Sequence, residues 1–156
     1  MTPGVDAARA AGIAFEIAQY EHDPRSTAYG LEAAEALGVP PERMFKTLVT
    51  KLDDGRLAVG IVPVDRQLDL KALARALAAR RADMADPAEA QRATGYVVGG
   101  ISPLGQKRQL PTALDQSALD HDTIYVSAGR RGLEIILAPT DLQRLTDATI
   151  ASLARD

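Results

Sequence analysis

Two runs rich in β-branched and apolar residues, Phe45–Leu52 and Leu57–Val62, flank Asp53-Asp54-Gly55, and this hairpin signal constrains the fold more than any other feature of the chain. A hairpin is an antiparallel pair, whereas a doubly wound sheet needs strands alternating with crossover helices. The remaining sequence does not supply that alternation. Ile13, Phe15 and Ile17 fall on one face of a half-buried strand ending near Tyr20. Further strands are expected near Leu110–Leu114, Thr123–Ser127 and Leu133–Leu137, the last two joined by a turn through Ala128-Gly129. Helices punctuate the strands irregularly. Thr2-Pro3 caps a short one that Gly12 closes, another runs from about Thr27 to Leu37 and stops at Gly38, and a last one covers Thr140–Leu145. The clearest follows Asp69, where Leu70, Leu73, Ala74 and Leu77 form one apolar stripe. Asp86-Pro87-Ala88-Glu89 resembles a capping box and opens a helix that ends at Gly95. No repeat or linker divides the chain. The expected fold is α+β, a single domain over residues 1–156 with a mixed, largely antiparallel sheet flanked by helices.

Three segments carry groups suited to chemistry. In Gly95-Tyr96-Val97-Val98-Gly99-Gly100-Ile101-Ser102-Pro103-Leu104-Gly105, a β-branched run meets paired glycines and then Ser-Pro. Such a loop can present several bare amides to one oxygen, as an oxyanion site must. It is equally the composition of a tight strand-to-strand turn, which the motif alone favours. Lys46 shares a strand face with Leu48, Thr50 and Leu52, so it either ends the strand with its ammonium in water or points into a pocket. A pocket lysine would supply positive charge for a phosphate, a carboxylate or a developing oxyanion. Gln19–Tyr29 is dense in polar and aromatic groups between a strand and a helix start. It reads either as a functional loop or as a solvated connection with a helix cap at Ser26 or Thr27.

Composition narrows the chemistry. With 156 residues and a net charge of −3, the chain is no general nucleic-acid coat, which would need many cationic phosphate contacts. A local basic strip could still grip one RNA end. Candidates are Lys71 and Arg75, one helical turn apart, with Arg80-Arg81, Lys107-Arg108 and Arg130-Arg131; solvated faces balanced by nearby acids are the alternative. There is no cysteine, which excludes disulfides, thiolate ligands and a protein thiol nucleophile and fits a cytoplasmic setting. No leader follows Met1, and no apolar run approaches membrane-spanning length. His22 and His121 stand far apart without a metal-ligand pattern, so no metal or other cofactor is expected. Neither a Gly-x-Ser-x-Gly elbow nor a phosphate-binding Gly-Lys-Ser/Thr motif is present.

The ordered blocks Thr2-Pro3, Tyr20-Glu21-His22-Asp23-Pro24, Lys46-Thr47-Leu48, Gln67-Leu68-Asp69-Leu70-Lys71 and Met84-Ala85-Asp86-Pro87 carry a resemblance. It continues through Ala90-Gln91-Arg92, Thr94-Gly95-Tyr96, Val98–Lys107, Thr123–Ser127 and Arg131-Gly132-Leu133. Across its whole length the chain resembles the YbaK family of free-standing Cys-tRNA(Pro) deacylases, relatives of the editing domain of bacterial prolyl-tRNA synthetases. The resemblance implies a curved sheet with its pocket on the concave side. It also implies trans-editing hydrolysis of Cys-tRNA(Pro), in which the thiol of the bound cysteine attacks its own carbonyl. On that reading Lys46 holds the substrate's terminal ribose or phosphate, or steadies charge near the scissile ester, and the amides around Gly99, Gly100 and Ile101 face the carbonyl. Tyr20, Tyr29, Thr47, Ser102, Ser127, Gly129 and Glu134 bind the substrate.

The implied partners are the aminoacylated 3′ end of tRNA(Pro) and a docking prolyl-tRNA synthetase, with no membrane, the protein being a monomer or weak dimer. Two departures stand out: Tyr29 where the family often has Phe, and Glu134 where relatives often have Asp. Because Glu134 alternates with Leu133 and Ile135, it falls on the opposite face from them, where it is expected to be solvated. Rival readings are a deacylase preferring Ala-tRNA(Pro) or another small aminoacyl-tRNA, a non-catalytic RNA-end or nucleotide-binding module, and a partner protein that docks on the synthetase.

Overall fold

The computed structural model describes all 156 residues. In chain order the elements are α1 (Pro3–Ala10), β1 (Phe15–Gln19), α2 (Tyr29–Leu37), β2 (Phe45–Leu52), β3 (Leu57–Pro63), β4 (Gln67–Leu68), α3 (Leu70–Ala76) and β5 (Ala82–Met84). They continue with α4 (Pro87–Thr94), β6 (Thr112–Asp115), β7 (Ile124–Arg130), β8 (Leu133–Leu137), α5 (Pro139–Thr146), β9 (Thr149–Ala151) and β10 (Ala154–Arg155). The expected α+β domain is what forms. Its largest sheet has the order β5-β2-β3-β6-β9, antiparallel across β5-β2-β3 and parallel across β3-β6-β9. A second sheet, β1-β8-β7, is antiparallel throughout, and β4 pairs with β10.

Local chemistry explains most element boundaries. Thr2 accepts the Val5 amide at the start of α1, and Asp69 and Asp86 do the same for α3 and α4. The hairpin forms as read, pairing Phe45 with Pro63 through to Lys51 with Leu57. Two readings are corrected. Helix α2 begins after Ala28 with no side-chain cap, so neither Ser26 nor Thr27 caps it. The turn between β7 and β8 lies at Arg131-Gly132 rather than Ala128-Gly129, because β7 continues through an irregularity between Ser127 and Arg130.

The main core lies between the two larger sheets, where Phe45, Val49 and Ile61 meet Val126, Leu133 and Ile135. Ile13, Phe15 and Ile17 pack against it on the face the alternation marked. A second core sits under α3, joining Leu73 and Ala74 to Leu52, Val62 and Leu153. A third lies under α2, where Ala33 and Ala34 cover Met44 and Val64 beside Tyr20 and Tyr125. Asp115, buried at the end of β6, accepts the amides of Leu153 and Ala154 at 2.7 and 2.9 Å and so anchors the chain's last strand. No helix is long and apolar enough to cross a membrane.

Candidate active site

The outer edge of β2 is interrupted, and a cavity of about 530 Å³ occupies the break. Near its start β2 meets β7 at one parallel bridge, Met44 with Tyr125, after which the strands part. At its other end β5 pairs only with Thr50, Lys51 and Leu52, and the last bond runs from the Ala85 N–H to the Val49 carbonyl at 3.1 Å. Lys46–Leu48 therefore has β3 on one side and no strand on the other. The register determines which backbone groups face the opening. Leu52 N–H donates to the Arg56 carbonyl, so the even-numbered residues of β2 bond to β3. Alternation turns the N–H and C=O of Thr47 outward. Thr47 Oγ1 is also buried and has no hydrogen-bond partner. Leaving a hydroxyl unpaired costs roughly 1–3 kcal/mol, which a bound polar group would recover.

Around this edge the walls are mainly apolar. Phe45, Leu48 and Val49 come from β2, Ala85 from the loop after β5, Pro87 and Ala90 from α4, and Val98, Gly99 and Ile101 from the glycine loop. Residues Thr27–Leu31 and Ala33, just before and within the first turns of α2, complete the lining together with Tyr20, Ser127 and Glu134. The volume suits a small-molecule group rather than a polypeptide. Lys46 lines the cavity without an ion pair or hydrogen bond to the protein. Burial lowers its pKa, and the charge of Asp65 opposes that shift only in part.

Glu134 is corrected from solvated to buried, with 6% of its surface exposed. Alternation placed it on the right face, opposite Leu133 and Ile135. That face, shared with Ser127 across the β7–β8 pair, lies in the cavity wall rather than in open water, and burial raises the Glu134 pKa to about 8. Nearby, burial raises the Tyr20 pKa, the Glu134 and Glu32 charges adding to the rise and a backbone bond at Gly132 opposing it.

The glycine loop contributes differently from its expected role. It forms no strand and lies between α4 and the β7–β8 turn. Gly99 lines the cavity with φ +89°, and a Cβ there would stand 2.6 Å from the Tyr29 ring and 2.8 Å from Arg131 Nε. Gly100 does not line the cavity; its N–H is already donated to the Val97 carbonyl at 2.9 Å. The oxyanion role expected of the Gly100 amide is therefore corrected to turn closure. A Cβ at Gly100 would stand 2.9 Å from Arg130 Cα and 3.0 Å from Arg131 N, backbone that cannot swing aside. Gly100→Ala is expected to lower stability and activity together, with Tm down by about 3–8 °C for an overpacking cost of roughly 1–3 kcal/mol. Thermal melts alongside turnover check this; lost turnover at unchanged Tm would restore the amide to the site.

Ser102 and Gly129 also lie outside the cavity lining. Ser102 is fully buried and its Oγ accepts the Leu104 amide at 3.1 Å, while Gly129 makes room for the Tyr96 ring. Both are corrected to packing roles that seat α1 against β7. Tyr20, Tyr29, Lys46, Thr47, Gly99, Ile101, Ser127 and Glu134 do line one cavity.

Two clamps over the mouth were not foreseen. Arg131 donates to the Val98 carbonyl at 3.2 and 2.6 Å and stacks its guanidinium 4.4 Å over Tyr29, so it serves the loop rather than a basic strip. Glu32 holds the segment before α2, bonding His22 Nδ1 at 2.7 Å and the Asp23 amide at 2.9 Å. The i to i+10 spacing of His22 and Glu32 carries no sequence signal. Nor does anything in the sequence mark Pro87 and Ala90 as cavity walls.

Comparison with known proteins agrees with this geometry. EbsC of Enterococcus faecalis, provisionally named a Cys-tRNA(Pro)/Cys-tRNA(Cys) deacylase, is 41% identical over 120 residues, 77% of this chain and 73% of that protein. The Escherichia coli K12 multifunctional Ser/Thr-tRNA deacylase ProXp-y is 30% identical over 114 residues, 70% of this chain and 68% of its own. The crystal structure of a provisionally assigned trans-editing enzyme for prolyl-tRNA synthetase superposes with a TM-score of 0.84 at 26% identity, over 100% of this chain and 99% of the other. Residues 22–145 match the aminoacyl-tRNA editing domain, and the chain belongs to that family, whose chemistry is the deacylation of aminoacyl-tRNA.

Proposed function

We propose that the protein clears cysteine from mischarged tRNA(Pro), using the thiol of the bound cysteine as nucleophile. One observation carries this reading: the cavity has a cation and an open backbone donor at Thr47, but none of its hydroxyls is hydrogen-bonded to a base. Ser127 Oγ accepts the Gly129 amide at 3.2 Å, and Glu134, opposite it across the β7–β8 pair, makes no hydrogen bond to it. His22 is engaged by Glu32, and His121 lies edge-on to Phe45 outside the cavity. An aminoacyl ester is already activated, so positioning and charge stabilisation suffice if the attacking group arrives with the substrate.

In this mechanism the Thr47 N–H and the Lys46 ammonium meet the ester carbonyl. The substrate's thiolate forms the new C–S bond, and the bond from carbonyl carbon to ribose oxygen breaks. The ribose oxygen leaves with the proton the thiol gave up. The cyclic thiolactone then opens with water to free cysteine. Glu134, Tyr20 and Ser127 bound the space for the aminoacyl side chain, and Ile101 and Gly99 shape the wall opposite β2.

The test compares cysteinyl, seryl, alanyl and S-methylcysteinyl esters of tRNA(Pro). The cysteinyl ester is expected to be cleaved at least tenfold faster than the seryl and S-methyl esters, because a thiol of pKa about 8.5 is far more ionised near neutrality than a hydroxyl. A thiolactone should be trapped early. Rapid cleavage of the S-methylated or alanyl ester, with solvent oxygen entering directly, would replace this mechanism with attack by water. A second reading, a deacylase for hydroxyl amino acids, is favoured by the unpaired Thr47 Oγ1 and by the 30% identity to the Ser/Thr-tRNA deacylase. Faster seryl than cysteinyl turnover would select it.

A further inference from the structure

We propose that Lys71, Arg75, Arg80 and Arg81 form a track for the sugar–phosphate backbone of the RNA substrate, beside the cavity and separate from it. The proposal rests on the reading of the protein as an aminoacyl-tRNA deacylase. The four residues come from α3 and the loop that leads into β5, and they line one open depression with Leu70, Ala79 and Ala82. Four of its seven lining residues are basic and none is acidic, on a chain whose net charge is −3.

Five Lys and Arg side chains outside the depression are paired with acids, among them Lys51 with Glu89 at 3.1 Å, Arg56 with Asp54 at 2.8 Å and Arg144 with Asp141 at 3.1 Å. Lys71, Arg75 and Arg80 make no ion pair, and Arg81 makes only a loose one, 3.6 Å to an Asp83 that is itself 73% exposed. Asp53, on the facing turn, makes no ion pair with these residues, although its charge acts on Arg80. Asp53 Oδ1 accepts the backbone amides of Arg80 and Arg81 at 3.0 and 3.1 Å. It thereby fixes a loop in which Ala78 holds φ 59°, a conformation that costs a non-glycine residue energy. The loop is fixed while the Arg80 guanidinium makes no ion pair and that of Arg81 only the loose one to Asp83.

The location favours RNA over an acidic protein. Strand β5 begins at Ala82 in the depression and ends at Met84 in the cavity wall. At about 3.3 Å per residue, Arg81 and Met84 are roughly 10 Å apart, a few nucleotide steps. An RNA whose aminoacyl end fills the cavity can lay its preceding phosphates along this edge, where guanidinium forks match phosphate oxygens.

The test is a triple variant, Lys71→Ala/Arg75→Ala/Arg80→Ala, against the wild-type protein and an Arg56→Ala/Arg144→Ala control. Binding of uncharged tRNA is measured as a function of salt. The triple variant is expected to bind about 10- to 100-fold more weakly, with a log–log salt slope shallower by about two to three, since each phosphate contact contributes slightly less than one. The control should match wild type. Deacylation of full-length aminoacyl-tRNA should fall in parallel, while cleavage of a minimal aminoacyl-adenosine ester, too short to reach the depression, stays the same. Unchanged tRNA affinity and slope in the triple variant would overturn the track, as would loss of polyglutamate binding in place of RNA binding. Failure of the wild type to cleave any aminoacyl ester would instead overturn the deacylase reading, leaving the tRNA-binding comparison to decide the track by itself.

Discussion

Replacing Lys46 with alanine is expected to slow deacylation by about 10²- to 10³-fold, the scale for removing one group that stabilises a developing oxyanion. The fold should survive. The ammonium makes no ion pair or hydrogen bond within the protein, and its burial already disfavours the charge, so Lys46→Ala should leave Tm unchanged or slightly raised. Lys46→Arg keeps the charge but brings a planar fork of different reach and should also be poor. Because burial holds the Lys46 pKa below the ordinary 10.5, the alkaline loss of activity should begin below the pH at which a free lysine titrates. Rates for both variants and a wild-type pH profile check these outcomes. Near-normal turnover in a folded Lys46→Ala protein would remove this residue from the site.

Glu134→Gln is expected to stabilise the protein at alkaline pH and to flatten its dependence on pH. In the folded protein the carboxyl titrates at about 8, above the ordinary glutamate value of 4.5, so between these limits the native state binds more protons than the unfolded chain. Stability conferred by the protonated acid is thus full below about pH 4.5, declines as pH rises towards 8, and levels off above. Glutamine mimics the protonated acid at every pH. Each tenfold change in proton affinity is worth about 1.36 kcal/mol, which puts the variant's advantage above pH 8 on the order of a few kcal/mol. Urea unfolding at pH 5 and pH 8.5 measures it; equal pH dependence in the two proteins would show that Glu134 does not titrate in this way.

Legibility followed the length and periodicity of each segment. The β2–β3 hairpin and the caps at Thr2, Asp69 and Asp86 could be read because each rests on chemistry within a few residues. Strands β4, β5, β9 and β10 have two or three residues each, too few for an alternation to register. Their pairing depends on partners far along the chain. Lys46 and Thr47 could be placed on a strand, but the gap beside them could not, since it exists only because β5 stops at Met84 and β7 turns away after Tyr125. Glu134 marks the same limit: alternation gave its face, and only the packing of distant elements around the cavity decides what that face meets. Gly100 was legible as a position intolerant of a side chain, though the reason is Arg130 backbone and not substrate.

The open edge of β2 bears on how such a site can change over evolutionary time. A backbone N–H belongs to every residue except proline, so nearly any substitution at position 47 alters what surrounds the amide without deleting it. The walls of the cavity, by contrast, are side chains and free to drift. On the proposed mechanism, preference for one amino acid over another can therefore be rewritten residue by residue while the hold on the ester is inherited intact. What would abolish that hold is a slip of one residue in the pairing of β2 with β3, which would turn the Thr47 amide inward and offer the substrate the opposite set of groups.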